Sequence, residues 1–492
     1  MFISRQPVKM LYKSRTDEEV LQRLSTYVDS HSDQPAEILA RLWNDQQEAI
    51  SYQEIREAVL NGDLDEETIQ RWMVDYSIMA ATKFAPVWMA AAAAGGTRQP
   101  LTRDIEGYSY NPREKGVRRW VSDHSRDMIT AITQEQRAAV RAMIGRAVDG
   151  KYTVDELSRV IRPCIGLNRP QAEANLRYYE TIRDNLLANH PRMKVESAQK
   201  QAQEMAVKYA ERQHRQRAYM VAETELVTAY NQGAEQSVRQ AQQQGKLGAV
   251  RRIGSTADDE RVCRRCAGKH GKEIPPEDGT PPWHPRCRCA IAYEPIEAAT
   301  AATDVVNEPD YIPIADEVTD ESYEQIQKEF DLILPAHQAI LEEEILEIRH
   351  SPIGNSFVNK ELGIVYVADG LTEGEFIHES AHLLESIFDI FHDKQYLGIL
   401  ESSVGDCKRN MIYDATTFTR PVFRIESNKL VSKYQGRYYE QVPLRRSDGT
   451  INPNAFSDFF SEGYKAYILD PQKLWRRNRE LFEFIERLVQ NA

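Results

Sequence analysis

Cysteine is scarce in this chain, at 6 in 492 residues, and four of the six fall between Cys263 and Cys289. Long apolar runs are missing too. The longest, Phe84 to Ala94, is too short to span a bilayer and is rich in alanine, so it is expected to be a packed helix and the chain soluble, with no membrane partner. Positive charge is not in excess: 62 Lys and Arg against 75 Asp and Glu give a formal net charge of −13, which argues against a protein that coats nucleic acid. Met1 to Ser14 (MFISRQPVKMLYKS) combines no basic start with an apolar run, so a secreted, oxidising destination is not expected.

What is present reads as helices, a break, and a different second half. From Asp17 to Ala94 apolar residues recur at helical spacing, as in Ile38, Leu39, Leu42 and Trp43, with Asn61-Gly62-Asp63 as a turn. Gly95-Gly96-Thr97 and Pro100 make a break, and Glu106 to Pro112 a polar loop. Gln171 to Gly248 is nearly free of proline and glycine and rich in Ala, Gln, Glu and Arg, which predicts long helices broken near His190-Pro191. Its basic run Glu211 to Arg217 (ERQHRQR) is expected to be a solvated face. Val250 to Ile253 and Ala290 to Tyr293 read as strands that enter and leave the cysteine-rich stretch. Glu297 to Ser322 has the Ala, Thr, Asp and Pro composition of a linker. Helical periodicity returns at Tyr323, and Leu362 to Val367 (LGIVYV) reads as a strand, a candidate edge for pairing with an extended substrate. Cys164 and Cys407 stand alone and are expected to be buried thiols.

The cysteine-rich stretch has zinc-site arithmetic. Two ligands from a C-x2-C turn and two from a second short loop about 15 to 20 residues on can surround one ion. Cys263, Cys266, His284 and Cys287 fit, Cys289 is a fifth candidate for the four places, and His270 is a weaker sixth. A pair of disulfides or bystander thiols are the alternatives. With so many donors the cluster reads as a closed structural zinc site, because a catalytic one needs an open position.

His378-Glu379-Ser380-Ala381-His382 is an H-E-x-x-H motif. Residues four apart share one helix face, so both imidazoles can reach one zinc while Glu379 approaches a bound water as general base. Phe376, Ile377, Leu383, Leu384 and Ile387 supply the apolar face of a buried helix. A third protein ligand is required, and Phe456 to Tyr467 offers Asp458 and Glu462 on a helical segment. The alternative is a pair of core histidines. His337, His350 and His392 are expected to be surface or satisfied side chains.

Three ordered motifs carry a resemblance: V-A-E-T-E-L-V-T-A-Y-N-Q-G (Val221 to Gly233), S-T-A-D-D-E-R-V-C-R-R-C (Ser255 to Cys266) and P-P-W-H-P-R-C-R-C (Pro281 to Cys289). Together they resemble the phage Mu F-like minor head, or head morphogenesis, proteins over about Leu101 to Tyr293. Leu42 to Ile50 is similar to the portal-side region of related proteins. The resemblance implies a virion protein near the portal, present in host cytoplasm during assembly, with portal and capsid proteins as partners and a role in head morphogenesis or DNA delivery. Within V-A-E-T-E, Glu223 and Glu225 are either family-specific contacts or plain helix surface.

The second half resembles the anthrax-lethal-factor-like zincins, whose later helix carries E-F-F-x-E. That resemblance puts the ligand acid on Asp458 and the supporting acid on Glu462, with Asp in place of Glu as the departure, so either acid can be the third ligand. Val431 to Arg437 is similar to the stretch whose tyrosine stabilises the oxyanion, which falls on Tyr434; the alternative is a core tyrosine.

The expected architecture is mainly α and multidomain. It comprises a helical portal-side region (1–100), a long-helix, zinc-stapled α+β head domain (101–296), a linker (297–322) and an α+β zincin-like domain (323–492). Two zinc ions are implied, one structural and one catalytic, with a protein or peptide substrate for the second. Three functions compete: a head protein carrying a metallopeptidase, an effector delivered with the virion, and a structural head protein with an inactive second half. A nucleic-acid contact through Lys246 to Arg252 is a weaker reading.

Overall fold

The computed structural model describes residues 15–147, 152–256, 262–296, 311–405, 411–417, 420–439 and 442–491. The chain forms two units, Met1–Val306 and Asn307–Ala492, and is mainly α-helical with a few small sheets. Cys407 and the first part of the expected linker, 297–310, lie outside the described residues.

The first unit is organised by one helix of 49 residues, Val195–Gln243, which at 1.5 Å per residue is about 73 Å long. In its first half Ala198, Ala202, Ala206 and Ala210 recur every four residues and are buried. These small side chains let the helix lie close to its neighbour Arg169–Asn189, whose Asn175 Nδ2 donates to Ala206 O at 2.9 Å. That neighbour begins with an Asn168/Gln171 capping box, which satisfies two otherwise orphaned N–H groups.

In its second half the long helix meets Ala85–Thr97 at backbone contact. A Cβ on Gly95 would stand 1.9 Å from Tyr230 O, and one on Gly233 would stand 1.9 Å from Ala92 O. The alanine and glycine run is therefore a packing seam. Glu66 to Thr97 is long and apolar enough to cross a membrane by length and composition, yet Trp88, Ala91 and Ala92 are fully buried within this unit. Helices on both sides of residue 100, the expected division, share this seam within one compact unit.

The basic run was expected to be a solvated face, but only part of it is. Gln213, His214 and Arg217 are buried. Arg217 stacks over Trp43 at 5.4 Å and pairs with Glu135 at 2.6 Å, and His214 Nε2 lies 2.8 Å from Ile165 O. Composition marks a charged face as solvated; the aromatic surface that covers it comes from elsewhere in the chain. Cys164 is buried, as expected for a lone thiol. Strands β1 (Val250–Ser255) and β2 (Ala290–Pro295) pair antiparallel and close the unit around the cysteine-rich loop.

The second unit starts earlier than its periodicity suggests. Ile314 bridges to Ile348, and a helix capped by the Thr319 side chain runs Asp320–Leu332, so the second half of the expected linker is packed structure. Strands β3 (Glu347–His350), β4 (Phe357–Asn359) and β5 (Ile364–Val367) form a mixed sheet in the order β3-β5-β4. The candidate edge strand is therefore the central one. β5 pairs in parallel with β3 and antiparallel with β4, so its backbone groups are already taken. A second sheet contains β6 (Met411–Thr417), β7 (Arg420–Ile425) and β8 (Arg437–Tyr439) in that order.

The core of this unit lies between the motif helix, Glu375–Ile387, and a second helix, Asp458–Leu469. Phe376, Ile377, Ala381 and Leu384 from the first meet Phe459, Phe460 and Tyr464 from the second, all at or near zero exposure. Each buried phenylalanine contributes about 1.5–3 kcal/mol of transfer free energy, so this contact fixes how the two helices face each other. The motif helix is also capped from a distance. Buried Glu329 accepts from Gly374 N at 2.6 Å and Ile377 N at 3.1 Å, placing a carboxylate where the helix dipole favours it.

Candidate metal centres

The cysteine cluster brings all five candidates together around one thiol. Cys263, Cys266 and His284 form one group, and Cys266, Cys287 and Cys289 another, the atoms of each lying within 4.8 Å of one another. His284 Nε2 is 3.2 Å from Cys263 Sγ and 3.1 Å from Cys266 Sγ, and Cys266 Sγ is 3.7 Å from Cys287 Sγ. Two thiolates on a tetrahedral zinc at about 2.3 Å stand about 3.8 Å apart, so the donors fit such an ion. His270 is not part of the cluster; its Nδ1 accepts from Thr256 N at 3.2 Å. The described cysteines are free thiols, so the disulfide alternative is not realised.

The local chain explains how the donors converge. Cys263 caps the short turn Arg264–Ala267 and accepts from Cys266 N. Arg286 sits at φ 61°, a region unfavourable for a residue with a Cβ, and this reverses the chain between His284 and Cys287. Hydrogen bonding from Cys289 pulls the Cys287 thiol down to about 5, while burial pushes Cys266 up to about 12. His284 is raised, first by its bond to Pro285 O.

Cys263 and His284 are only partly covered and face a cleft of about 630 Å3 shared with Leu21, Ser25 and Asp29. The V-A-E-T-E segment is more than helix surface. Glu223 pairs with Arg286 at 3.3 Å and Arg288 at 3.0 Å, and Arg288 also reaches Asp29 at 2.5 Å. Glu225 is buried and takes Trp88 Nε1 at 2.9 Å and His124 Nε2 at 2.6 Å. Asn231 Nδ2 donates to Cys289 O at 3.0 Å. Arg252 is committed inside, to Glu235 at 3.1 Å and to the carbonyls of Ile274, Pro275 and Gly279, and Arg251 pairs with Glu294. Of the arginines in the weaker nucleic-acid reading, Arg252 is thus committed inside, while Arg251 pairs at the surface.

The second centre is built by helix packing. His378 and His382 lie on one face of the motif helix, and each Nε2 is 3.7 Å from the same atom, Asp458 Oδ1. All three side chains are buried and within 4.8 Å of one another. Ligand atoms held at about 2.0–2.2 Å in a tetrahedral site stand about 3.3–3.6 Å apart, and two imidazoles with one carboxylate are a catalytic zinc donor set. Glu462 lies behind the site and bonds His378 Nδ1 at 2.9 Å. Asp458 can face the histidines despite its shorter side chain because Phe459 and Phe460 draw its helix onto the motif helix.

Charge in this centre favours a cation. Burial opposes protonation of His378, but Asp458 and Glu462 push it up to about 10. Burial also opposes ionisation of Glu462, which His378 and Lys465 outweigh, holding it near 2. Burial raises the Glu379 carboxyl above its usual range, towards that of a base working near neutrality. Glu379 and Tyr434 line one cavity of about 270 Å3 with His378, Glu375 and Lys465. Tyr434 is 44% exposed, its ring edge-on to His378 at 5.9 Å and covered by Arg437 at 3.7 Å. It is thus a cleft residue, not a core tyrosine. Gln435 Nε2 holds its loop to Phe459 O at 3.0 Å.

Several participants went unread in the sequence. Glu385 bonds His382 Nδ1 at 3.0 Å, and its place three residues after His382 on a helix was the available signal. Lys360 and Glu329 had none, since tertiary packing alone brings them in. Among the remaining histidines, His337 is buried against Tyr464 OH at 2.7 Å, and His350 and His392 pair with Asp369 and Asp389.

Residues 192–292, from just before the long helix to β2, match the family model described as Phage Mu protein F like protein. No curated protein and no solved structure matches the chain significantly. The family match covers the cysteine cluster and stops short of the second unit.

Proposed function

We propose that the chain is a phage head morphogenesis protein whose second unit is a zinc metallopeptidase. The family match over 192–292 supports the first half of this reading, with a place in the virion among other head components; portal and capsid proteins as its partners, and assembly in host cytoplasm, are part of our proposal. The second half rests on one observation above all. Both imidazole Nε2 atoms converge on Asp458 Oδ1, with Glu379 beside them in a cavity.

His378, His382 and Asp458 would hold the zinc, which when bound would supply Lewis acidity and lower the pKa of a water. The side chains supply the rest. Glu462 and Glu385 fix the imidazoles through Nδ1, leaving each Nε2 lone pair for the ion. Glu379, with its carboxyl raised by burial, takes the proton of the attacking water and passes it to the leaving amine. Tyr434, at the cavity mouth, donates a hydrogen bond to the oxygen of the scissile carbonyl as charge develops. In the cysteine cluster, zinc held by Cys263, Cys266, His284, Cys287 or Cys289 would tie together the two turns of the loop between β1 and β2 and contribute folding free energy.

The test is Glu379→Gln in the full-length chain, carried through phage assembly and a peptide-cleavage assay. Cleavage should fall about 100- to 10,000-fold, with incorporation into heads unchanged. Cleavage that persists contradicts the enzyme reading, and an unaltered chain that never joins heads contradicts the assembly reading.

A further inference from the structure

Behind each motif histidine stands a carboxylate, and behind each carboxylate a lysine. Glu385 Oε2 accepts from His382 Nδ1 at 3.0 Å and from Lys360 Nζ at 2.8 Å. Glu462 Oε1 accepts from His378 Nδ1 at 2.9 Å and from Lys465 Nζ. In both relays a single carboxylate oxygen receives the imidazole N–H and the ammonium together. The two carboxylate side chains are 2% and 3% exposed, whereas Lys360 and Lys465 are 35% and 27% exposed. The charge runs from the solvent edge to the buried histidine.

The lysines come from unrelated places and are separately held. Lys360 follows β4 in a turn shaped by Asn359 Oδ1, which accepts from Glu361 N and Leu362 N at 3.1 Å, and its ammonium lies 5.5 Å from the Phe391 ring. Lys465 lies one helical turn beyond Glu462, and its stem crosses Gly374 at the start of the motif helix, where a Cβ would stand 2.7 Å from Lys465 Cδ. The same arrangement is thus reached twice by different means.

We infer that Lys360 and Lys465 are positioning residues for the metal centre, acting through Glu385 and Glu462 to hold both imidazoles with Nδ1 protonated and Nε2 free for the ion. This rests on the metal-centre reading above. A carboxylate buried without a compensating charge is strongly disfavoured, and a partner ammonium keeps it an acceptor. As an acceptor it fixes the proton on Nδ1 and the ring's orientation, which sets how well the histidine binds metal. In this scheme neither lysine touches the ion; Lys465 helps to line the cavity beside Glu379, whereas Lys360 is not among its lining residues.

The experiment measures zinc affinity of the full-length chain by competition with a chelating dye, with a His378→Ala/His382→Ala variant giving the contribution of the cysteine cluster. Lys360→Met and Lys465→Met should each weaken binding at the histidine site about tenfold, the lower end of what outer contacts to a metal ligand supply. Lys360→Arg and Lys465→Arg should recover most of it. Met variants that bind as tightly as the unaltered chain overturn the inference, as do Arg variants as weak as the Met ones, which would make the role one of packing. An unaltered chain with no zinc at His378 and His382 overturns the metal centre itself. Should Lys360→Met fail to fold, Lys465→Met carries the test on its own.

Discussion

The cysteine cluster gathers its donors from two turns of one loop, with five candidates crowded around Cys266. The histidine site gathers three donors from two helices, with Asp458 far from His382 in sequence. The first has donors to spare and half-covered ligands on a cleft; the second has the minimum donor set, buried, with a carboxylate behind each imidazole. Surplus donors suit an ion that is there to staple a loop, because coordination can close entirely with protein atoms. A lean set backed by outer contacts suits an ion that must also engage water and substrate. On the proposed reading, the same metal chemistry would serve folding in one unit and reaction in the other.

Changes at the two centres should separate cleanly. The largest effect is expected from Cys266→Ser, since Cys266 belongs to both donor groups. Structural zinc sites carry about 10–16 kcal/mol of apparent binding free energy, and losing even part of that should lower the melting temperature of the first unit on the order of 10 °C. Differential scanning calorimetry should show the second unit's transition, and an assay its cleavage, unaltered. A smaller effect, confined to the other centre, should come from Asp458→Asn. Zinc affinity at the histidine site should fall more than about 100-fold, against about 10- to 100-fold for Glu462→Gln, whose carboxylate touches the histidine and not the ion. Equal losses in a dye-competition titration would mean that the two acids share the ligand role.

The contrast also governs what could be read from sequence. The cluster was legible because turns keep ligands adjacent in the chain, and His378 and His382 because a helix returns every fourth residue to one face. Asp458 and Glu462 were both visible as candidates, but which one faces the metal depends on how Phe459 and Phe460 pack their helix, and no local pattern records that. LGIVYV was legible as a strand but not as a central one, since its neighbours β3 and β4 lie on either side of it only in the sheet. Glu211 to Arg217 misled for a related reason: Trp43 and Glu135, which bury and pair Arg217, come from other helices.

The central claim is that one chain holds two metal centres of different kinds. The direct measurement is the zinc content of the purified full-length protein beside that of His378→Ala/His382→Ala and of Cys266→Ser. Two ions per chain, with each variant losing one and retaining the other, is the predicted result. One ion that survives in the histidine variant and disappears in Cys266→Ser would contradict the account, leaving H-E-x-x-H as a pair of buried histidines in a carboxylate-rich core.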